Sequence, residues 1–477
     1  MVSDSTKKMW HIAKRELSDN LNSLRFALAT VLLLGLMLTN AVVHLREHPE
    51  RVQRYRERVS GHQNHIAAHA ENSLYDLAQE GPGNLYKKPS DLRFCAEGNE
   101  TFMSDRAQAG YHRWSTDTLK SFWILAYPSA TPNRDNVRPE VTKVDWGFII
   151  GYVLSLVALL FTFDSISGER ERGTLRLTLS NAIPRHTVLI GKFLGAFISV
   201  SIPFILGVLV NLLVISTSSD VHLDAEAWGR LGIIFLVAVL YTCLFLALGM
   251  LVSARVQRSA VSLVILLLVW VVFVVFMPST LASIAGRSTS SGPTYDFSER
   301  SWKLHEELSS DYYANYHNGP EGSTKRIEMD SAYVTKDAEQ QEQLHEERLN
   351  RRIAEVHRAR AITRISPVTI VQNLIESFAG TGFERHLQFL ENVKTYVREF
   401  RTFIVDTDSA DPESLHIFGV RTGMSQEPVS PEAVPKFEDT LNLSRDFNTA
   451  AMELLLLTLF VLVLLSGAYL AFVRVEV

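Results

Sequence analysis

Two cysteines stand in 477 residues, Cys95 in a polar stretch and Cys243 inside an apolar run. So placed they cannot easily meet, and disulfides are not the framework of this chain. Charged residues are scarce, 21% against 47% apolar, and the apolar ones gather into long runs that disordered and ordinary globular chains lack. No basic stretch with interleaved aromatics is present, which argues against a nucleic-acid partner. A G-x-x-x-x-G-K-[S/T] phosphate loop is missing too: Gly191-Lys192 is followed by Phe193 and lacks the first glycine. No Asp, Glu, Lys or Arg lies deep inside an apolar run, whereas ion-coupled carriers usually need such groups as relays. With neither an ATP site nor a relay, the chain alone is expected to use neither ATP nor an ion gradient, and no catalytic constellation marks it as an enzyme. Internal repeats and low-complexity segments are absent as well.

What is present is six stretches that reach the roughly 20 apolar residues a helix needs to cross a bilayer core. They are Phe26 to Leu45, Trp146 to Phe163, Phe193 to Ile215, Leu231 to Ala254, Ala260 to Met277 and Leu454 to Val473. The first is read as a span and not a cleaved signal peptide, because its run is long for one and its leader is amphipathic. Basic residues in the short loops set the orientation. Lys7, Lys8, Lys14, Arg15 and Arg25 precede the first span; Arg170, Arg172, Arg176, Arg185 and Lys192 lie between the second and third; Arg255 and Arg258 join the fourth and fifth. The loop from Ser216 to Arg230 carries Asp220, Asp224 and Glu226 against Arg230 alone. Both termini are therefore expected in the cytoplasm of a multi-pass protein of the cytoplasmic membrane. Arg46, Arg51, Arg54, Arg56 and Arg58 run against the rule, but they open a long loop, where charge constrains translocation weakly.

The expected organisation follows. Residues 1–25 form an amphipathic helix, with Trp10, Leu17, Leu21 and Leu24 on one stripe opposite Lys14, Arg15 and Asp19, lying in the membrane interface. Residues 164–192 form a short cytoplasmic region, and residues 46–145 and 278–449 two extracytoplasmic inserts. The second insert is helical, with a charged run from Asp337 to Arg364 and a helix from Phe383 to Val405 whose apolar residues recur in steps of three and four. The first opens as helix to about Gln79, turns irregular at Gly81-Pro82-Gly83, and has strand-like pieces at Leu92 to Cys95 and Phe122 to Tyr127. The fold class is an all-α integral membrane protein with six spans and large, mainly helical extracytoplasmic inserts.

The most informative loop is GERERGTLRLTLSNAIPR, Gly168 to Arg185. It is too charged for a membrane and too short for a domain. Glu169 and Glu171 suit the positive end of a helix dipole, Leu175, Leu177 and Leu179 offer apolar contacts, and Pro184 ends the element. A loop that must push on a partner needs such a short rigid helix with charged anchors, though composition alone fits an ordinary solvated loop equally well.

At these residues the sequence resembles the ABC-2 permease family, whose members carry an E-R-E-R/E-G-T-L segment, a Pro-Arg turn and a G-K-x-x-G start to the third span. Here these are Glu169 to Leu175, Pro184-Arg185 and Gly191 to Gly195. The resemblance extends to Lys87 to Glu100, Arg364 to Gly382 and Val434 to Phe437, and is strongest to a subgroup with large extracytoplasmic inserts that includes permeases of nitrous-oxide-reductase maturation. It implies the type V exporter architecture and a coupling helix made of Glu169, Arg170, Glu171, Arg172, Gly173, Thr174, Leu175 and Arg176, with Pro184 and Arg185 behind it. It implies an elbow helix carrying Trp10, Lys14, Arg15, Leu17 and Leu21 against the ATPase, and two copies of this or a related permease, embedded in lipid, over two ATP-binding subunits that hold ATP and Mg. The function so implied is substrate export. The rival reading is a mechanotransmitting membrane subunit that drives an extracytoplasmic protein without moving a substrate.

A histidine series, His44, His48, His62 and His69 with His65 beside it, shares its stripe with Val52, Tyr55, Val59 and Ile66. Histidines one turn apart can bind a transition metal, which singles out His62, His65 and His69. A stripe shared with valine and isoleucine is more often a packing seam, and no bound metal is expected.

Overall fold

The computed structural model describes residues 2–97, 103–109, 125–126, 144–176, 183–218, 221, 223–288, 294–315 and 323–474. Hydrocarbon offers a backbone no partner but itself, so the apolar runs fold as helices. Helix α1 (Val2–Leu21) leads to α2 (Leu24–Asn72), which starts where the Ser23 side chain accepts the N–H of Phe26. The expected first span ends at Leu45, yet the helix passes through Pro49 and continues to Asn72. At about 1.5 Å per residue it is about 73 Å long, more than twice a hydrocarbon core of about 30 Å. Ser73 then caps α3 (Leu74–Glu80). A small antiparallel sheet follows: β1 (Gly83–Tyr86) pairs with β2 (Arg106–Ala109), and β2 with β3 (Leu125–Ala126).

The strand-like reading of Leu92 to Cys95 is not borne out. These residues form turns, and the carbonyls of Phe94 and Cys95 accept the N–H groups of Trp146 and Gly147. Their backbone caps a helix instead of pairing in a sheet. Of Phe122 to Tyr127, only residues 125 and 126 are described, and they are strand.

The capped helix is α4 (Trp146–Leu160), with a π-helical turn at Ile149–Leu154. It is the second expected span, but it is shorter than the rest, and the chain proceeds by turns through residues 161–166. Trp146, Ile149, Ile150 and Leu154 are all buried among neighbouring helices. Helix α5 (Ser167–Glu171) precedes α6 (Arg185–Ile215) and α7 (Ala225–Arg255). Residues 259–288 form one helix, α8, whose middle turn Val271–Phe276 is again π-helical. Beyond it come α9 (Thr294–Asn315), α10 (Thr324–Thr363), α11 (Pro367–Ala379), α12 (Phe383–Ser409) and α13 (Leu443–Val473). Among the described residues five helices are long and apolar enough to cross a membrane: α2, α6, α7, α8 up to Ala285, and α13.

Helix α6 packs against α1 and α2, and α7 against α13. The end of the bundle where α1 meets the C-terminus of α13 is the terminal end, and the other the loop end. At the loop end Asn211 Nδ2 donates to Asn40 Oδ1 and to the Met37 carbonyl, Asn40 Nδ2 donates to the carbonyls of Phe94 and Val144, and Trp146 Nε1 donates to Asn211 Oδ1. The two asparagines inside apolar spans thus lock the ends of α2, α4 and α6 together. On the same level the buried Arg230 pairs with Asp446 at 2.7 Å and with Glu226 at 2.9 Å, and Gln388 Nε2 donates to Asp446 Oδ1. This joins α7, α12 and α13. A second core outside the bundle gathers Ile66 and Ala70 of α2, Leu74 and Leu77 of α3, Leu85 and Ala107 of the sheet, and Phe389, Val393 and Phe400 of α12.

Trp10 and Leu21 of α1 and Leu24 at the start of α2 are exposed and Leu17 is half-buried, while Ile12, Ala13 and Glu16 pack against α6. The second insert shares a core with the bundle. Val368, Val371, Leu374, Ile375 and Phe378 of α11 belong to the same core as the spanning helices. A helix of 13 residues is too short to register as a span, yet its surface is closed off by α7, α13, α4 and α8.

Amides exchange slowly where opening requires breaking a core. Hydrogen exchange of the protein in nanodiscs should therefore show residues 368–379 protected to the level of α7, while 299–313 of α9 exchange orders of magnitude faster. Equal exchange of the two segments would mean that α11 is not part of the membrane core.

Candidate functional site

The loop singled out by its charge folds as one helical turn, α5, followed by a second turn at residues 174–176. Gly173 separates them at φ 75°, a left-handed conformation that glycine adopts without strain and that ends helices. The expected coupling helix is thus two short pieces. Leu177 and Leu179 lie outside the described residues.

A helix start leaves backbone N–H groups without partners. Here the partner comes from another helix: Ser253 Oγ of α7 accepts the N–H groups of Ile166 and Ser167 at 3.1 and 3.0 Å. Leu175, 1% exposed, enters a small core with Val188 and Leu189 of α6, Met250 and Ala254 of α7, and Ala468, Ala471 and Phe472 of α13. Pro184 is the N-cap of α6, and Arg185 Nη1 donates to the last carbonyls of α13, those of Phe472 and Val473. Those acceptors are ones a helix end leaves unsatisfied. Asp164, just before α5, pairs with Arg25 at 2.8 Å, and the Arg25 guanidinium lies 4.7 Å from the Phe163 ring centre.

The G-K-x-x-G motif has a physical reason in this structure. A Cβ on Gly191 would lie 2.9 Å from Ile12 side-chain atoms, and one on Gly195 would lie 2.6 Å from Glu16 Cβ and 3.0 Å from the Ala13 carbonyl. The two glycines let α1 press onto α6. Between them Lys192, 3% exposed, is held by Glu169 at 2.9 Å and by Glu16. A buried ammonium is tolerated only with such partners. One lysine therefore ties the loop, α1 and α6 together.

Both glutamates expected to face a partner are thus engaged within the chain. Glu169 is turned to Lys192, and Glu171 Oε2 accepts the N–H and hydroxyl of Ser259 at 3.1 and 2.7 Å, capping α8. Those bonds hold the Glu171 carboxyl below the usual carboxylate range. Reversing these two charges, which the sequence suggests would spare the fold, would place a lysine against Lys192 and remove the cap of α8. The charges exposed on the loop are Glu171, Arg172 and Arg176; Thr174 is exposed beside them and Arg170 is half-buried. Lys14 and Arg15 of the elbow are exposed on α1.

Sequence reasoning missed Glu16, Lys192, Ser253 and the Arg25–Asp164 pair. The signal for the first two was a lone lysine at the edge of an expected span and flanked by two glycines, which demands a buried counter-charge. The histidines do not converge. His65 and His69 have ring centres 4.6 Å apart, while His62 lies against Gly83, where burial pushes its pKa down to about 4. His44 and His48 stack on each other beside Phe94. Among the described residues no three metal-binding groups come together.

Replacing Lys192 by Met should leave Glu16 and Glu169 facing each other without a counter-charge. Removing one partner of a buried pair costs about 3–5 kcal/mol, to be read as a lower thermal midpoint in nanodiscs. The neutral triple variant Glu16→Gln/Lys192→Met/Glu169→Gln should regain most of the loss. A Lys192→Met midpoint equal to that of the parent protein would show that the triad carries no weight.

The family model described as ABC-2 family transporter protein matches residues 10–477. Two curated proteins, each named probable ABC transporter permease protein NosY, are also similar. The one from Pseudomonas aeruginosa is 31% identical and the one from Stutzerimonas stutzeri 29% identical, each over 134 residues. The aligned part is 28% of this chain and 48% of each relative, so the chain spans about half the length of the curated relatives it matches.

Proposed function

The chain belongs to the ABC-2 family of transporter proteins, and from that premise we propose that it exports a substrate across the cytoplasmic membrane, driven by ATP-binding subunits that dock on the loop around α5. Membership makes it a multi-pass membrane subunit of an ABC transporter. Two copies side by side form the path, the terminal end faces the cytoplasm, and ATP with Mg is held by the partner. The orientation is supported by the exposed Lys7, Lys14, Arg15, Arg172, Arg176, Arg255 and Arg258 at that end, as the distribution of basic residues across membranes requires.

The observation that carries this reading is the number of helices the loop holds. Within about twenty residues it is fastened to α1 and α6 through Lys192, to α2 through Arg25, to α7 through Ser253, to α8 through Ser259 and to α13 through Arg185. A displacement applied at Arg172 and Arg176 therefore reaches the ends of five spans. With Glu169 neutralised by Lys192, the exposed Arg172 and Arg176 outweigh the exposed Glu171, so the groove the loop enters on the ATPase is acidic.

A second reading is favoured by α2, which runs without interruption from the terminal end into the outer core at Ile66 and Ala70. Such a rod could hand movement to an extracytoplasmic partner without moving a substrate. Capture of a stoichiometric outer protein by the purified complex, with no substrate flux in sealed vesicles, would decide for it.

The docking reading predicts that Arg172→Glu/Arg176→Glu inserts and folds normally but copurifies poorly with its ATPase. Reversing two arginines against an acidic groove costs about 2 kcal/mol or more, beyond the roughly 1.4 kcal/mol that makes a tenfold change in affinity. Raising the salt should weaken the parent complex in the same direction. If the double variant binds its ATPase and supports hydrolysis as the parent does, the loop is not the dock.

A further inference from the structure

Helix α11 is buried all round, although one of its faces is polar. Thr369, Gln372, Asn373, Glu376 and Ser377 follow one another in steps of three and one, so they share one side of the helix. Val371, Leu374, Ile375 and Phe378 occupy the other side and join the core. Thr369, Gln372, Glu376 and Ser377 are at most 8% exposed. Among the described residues, Thr369 Oγ1, Gln372 Oε1, Asn373 Nδ2, Glu376 Oε2 and Ser377 Oγ find no hydrogen-bond partner. Buried polar atoms are normally bonded, and five orphans on one face of one helix are not a packing accident. Ionisable and polar groups at such depth beside spanning helices mark pathways far more often than structure.

The start of α11 rests on the two places where the spans depart from α-helical geometry. Val368 touches Gly151 inside the π turn of α4, and Ser366 Oγ donates to the Phe273 carbonyl inside the π turn of α8. Gln372 reaches Tyr152 in the first of these turns. Such turns recur at functional sites and where helices deform.

Two acidic groups come close together here. Glu376 has Asp145 near it, and the cation acting on it, Arg360, is paired with Glu384 at 3.2 Å.

We propose that the polar face of α11 is the wall of the substrate path at the loop end of the bundle, and that it takes neutral or cationic hydrogen-bonding groups and turns anions away. This rests on the transport reading, and it adds to it where the path runs and which chemistry it admits. When the bundle opens, these hydroxyl, amide and carboxyl groups gain a polar solute as partner, while the apolar face stays in the core.

The test uses the permease assembled with its ATPase in nanodiscs, with Cys95 and Cys243 replaced. Thr369→Cys and Ser377→Cys are small changes on the polar face. Leu374→Cys reports the apolar face, Ser310→Cys the exposed α9, and Ser201→Cys the small cavity between α4, α6 and α7. The probes are the cationic trimethylammonioethyl and the anionic sulfonatoethyl methanethiosulfonates, applied without nucleotide and with ATP trapped. Cysteines at 369 and 377 should change labelling rate about tenfold or more between the two states, with the cationic reagent faster by about tenfold, as expected where charged walls concentrate one sign of solute. Glu376→Gln should bring that ratio close to one, while Leu374→Cys stays unreactive and Ser310→Cys labels alike in both states. If 369 and 377 never react while Ser201→Cys responds to ATP, the wall assignment is wrong and transport stands. If Ser201→Cys is also indifferent to ATP in a complex that hydrolyses it, the transport reading falls and takes this proposal with it. Equal rates for the two reagents at 369 and 377 would overturn the charge selectivity.

Discussion

Within hydrocarbon a peptide N–H has no water to bond, so every segment that crosses must close its hydrogen bonds on itself. That constraint leaves the middle of the bundle to apolar packing and moves the polar fastenings to its two ends. At the terminal end these are Lys192 with Glu16 and Glu169, Ser253 on the start of α5, and Arg185 on the last carbonyls of α13. At the loop end they are the Asn40–Asn211 pair and the Arg230–Asp446 pair. Removing one partner from such a set leaves a desolvated group unpaired, which is worse than never having buried it.

The two ends are joined by rigid elements. Helix α2 begins beside the Arg25–Asp164 contact and finishes in the outer core, so a tilt at one end is carried to the other. Helices α4 and α8 differ from the others by their π turns, and both turns touch α11. Both of these departures from α-helical geometry therefore lie beside α11, while the fastenings around α5 lie at the terminal end.

Much of this was legible from composition and order. Five of the six expected spans stand as long helices because about 20 apolar residues in a row have few other stable outcomes. The rest was hidden for specific reasons. Helix α4 is short because the chain leaves it after Leu160 by turns through residues 161–166, which hydropathy does not register. Leu92 to Cys95 read as strand because its alternation matched, while its carbonyls were needed at the start of α4. On α1 the apolar stripe was legible, whereas the contact with α6 through Ala13 and Ile12, which glycines on α6 admit, was not.

The sequence by itself determined the class of protein, the number of apolar runs, the bias of basic residues and the loop that matters, since each of these is a local sum over neighbours in the chain. The tertiary structure alone decided which way charges point and which short helix is enclosed. Glu169 and Glu171 read as outward anchors until Lys192 and Ser259, far along the chain, were placed against them. Helix α11 read as external because thirteen residues cannot span, and only the closure of α4, α7, α8 and α13 around it turned a polar stripe into a buried wall. Burial and pairing are properties of contacts between distant segments, and no window along the chain contains them.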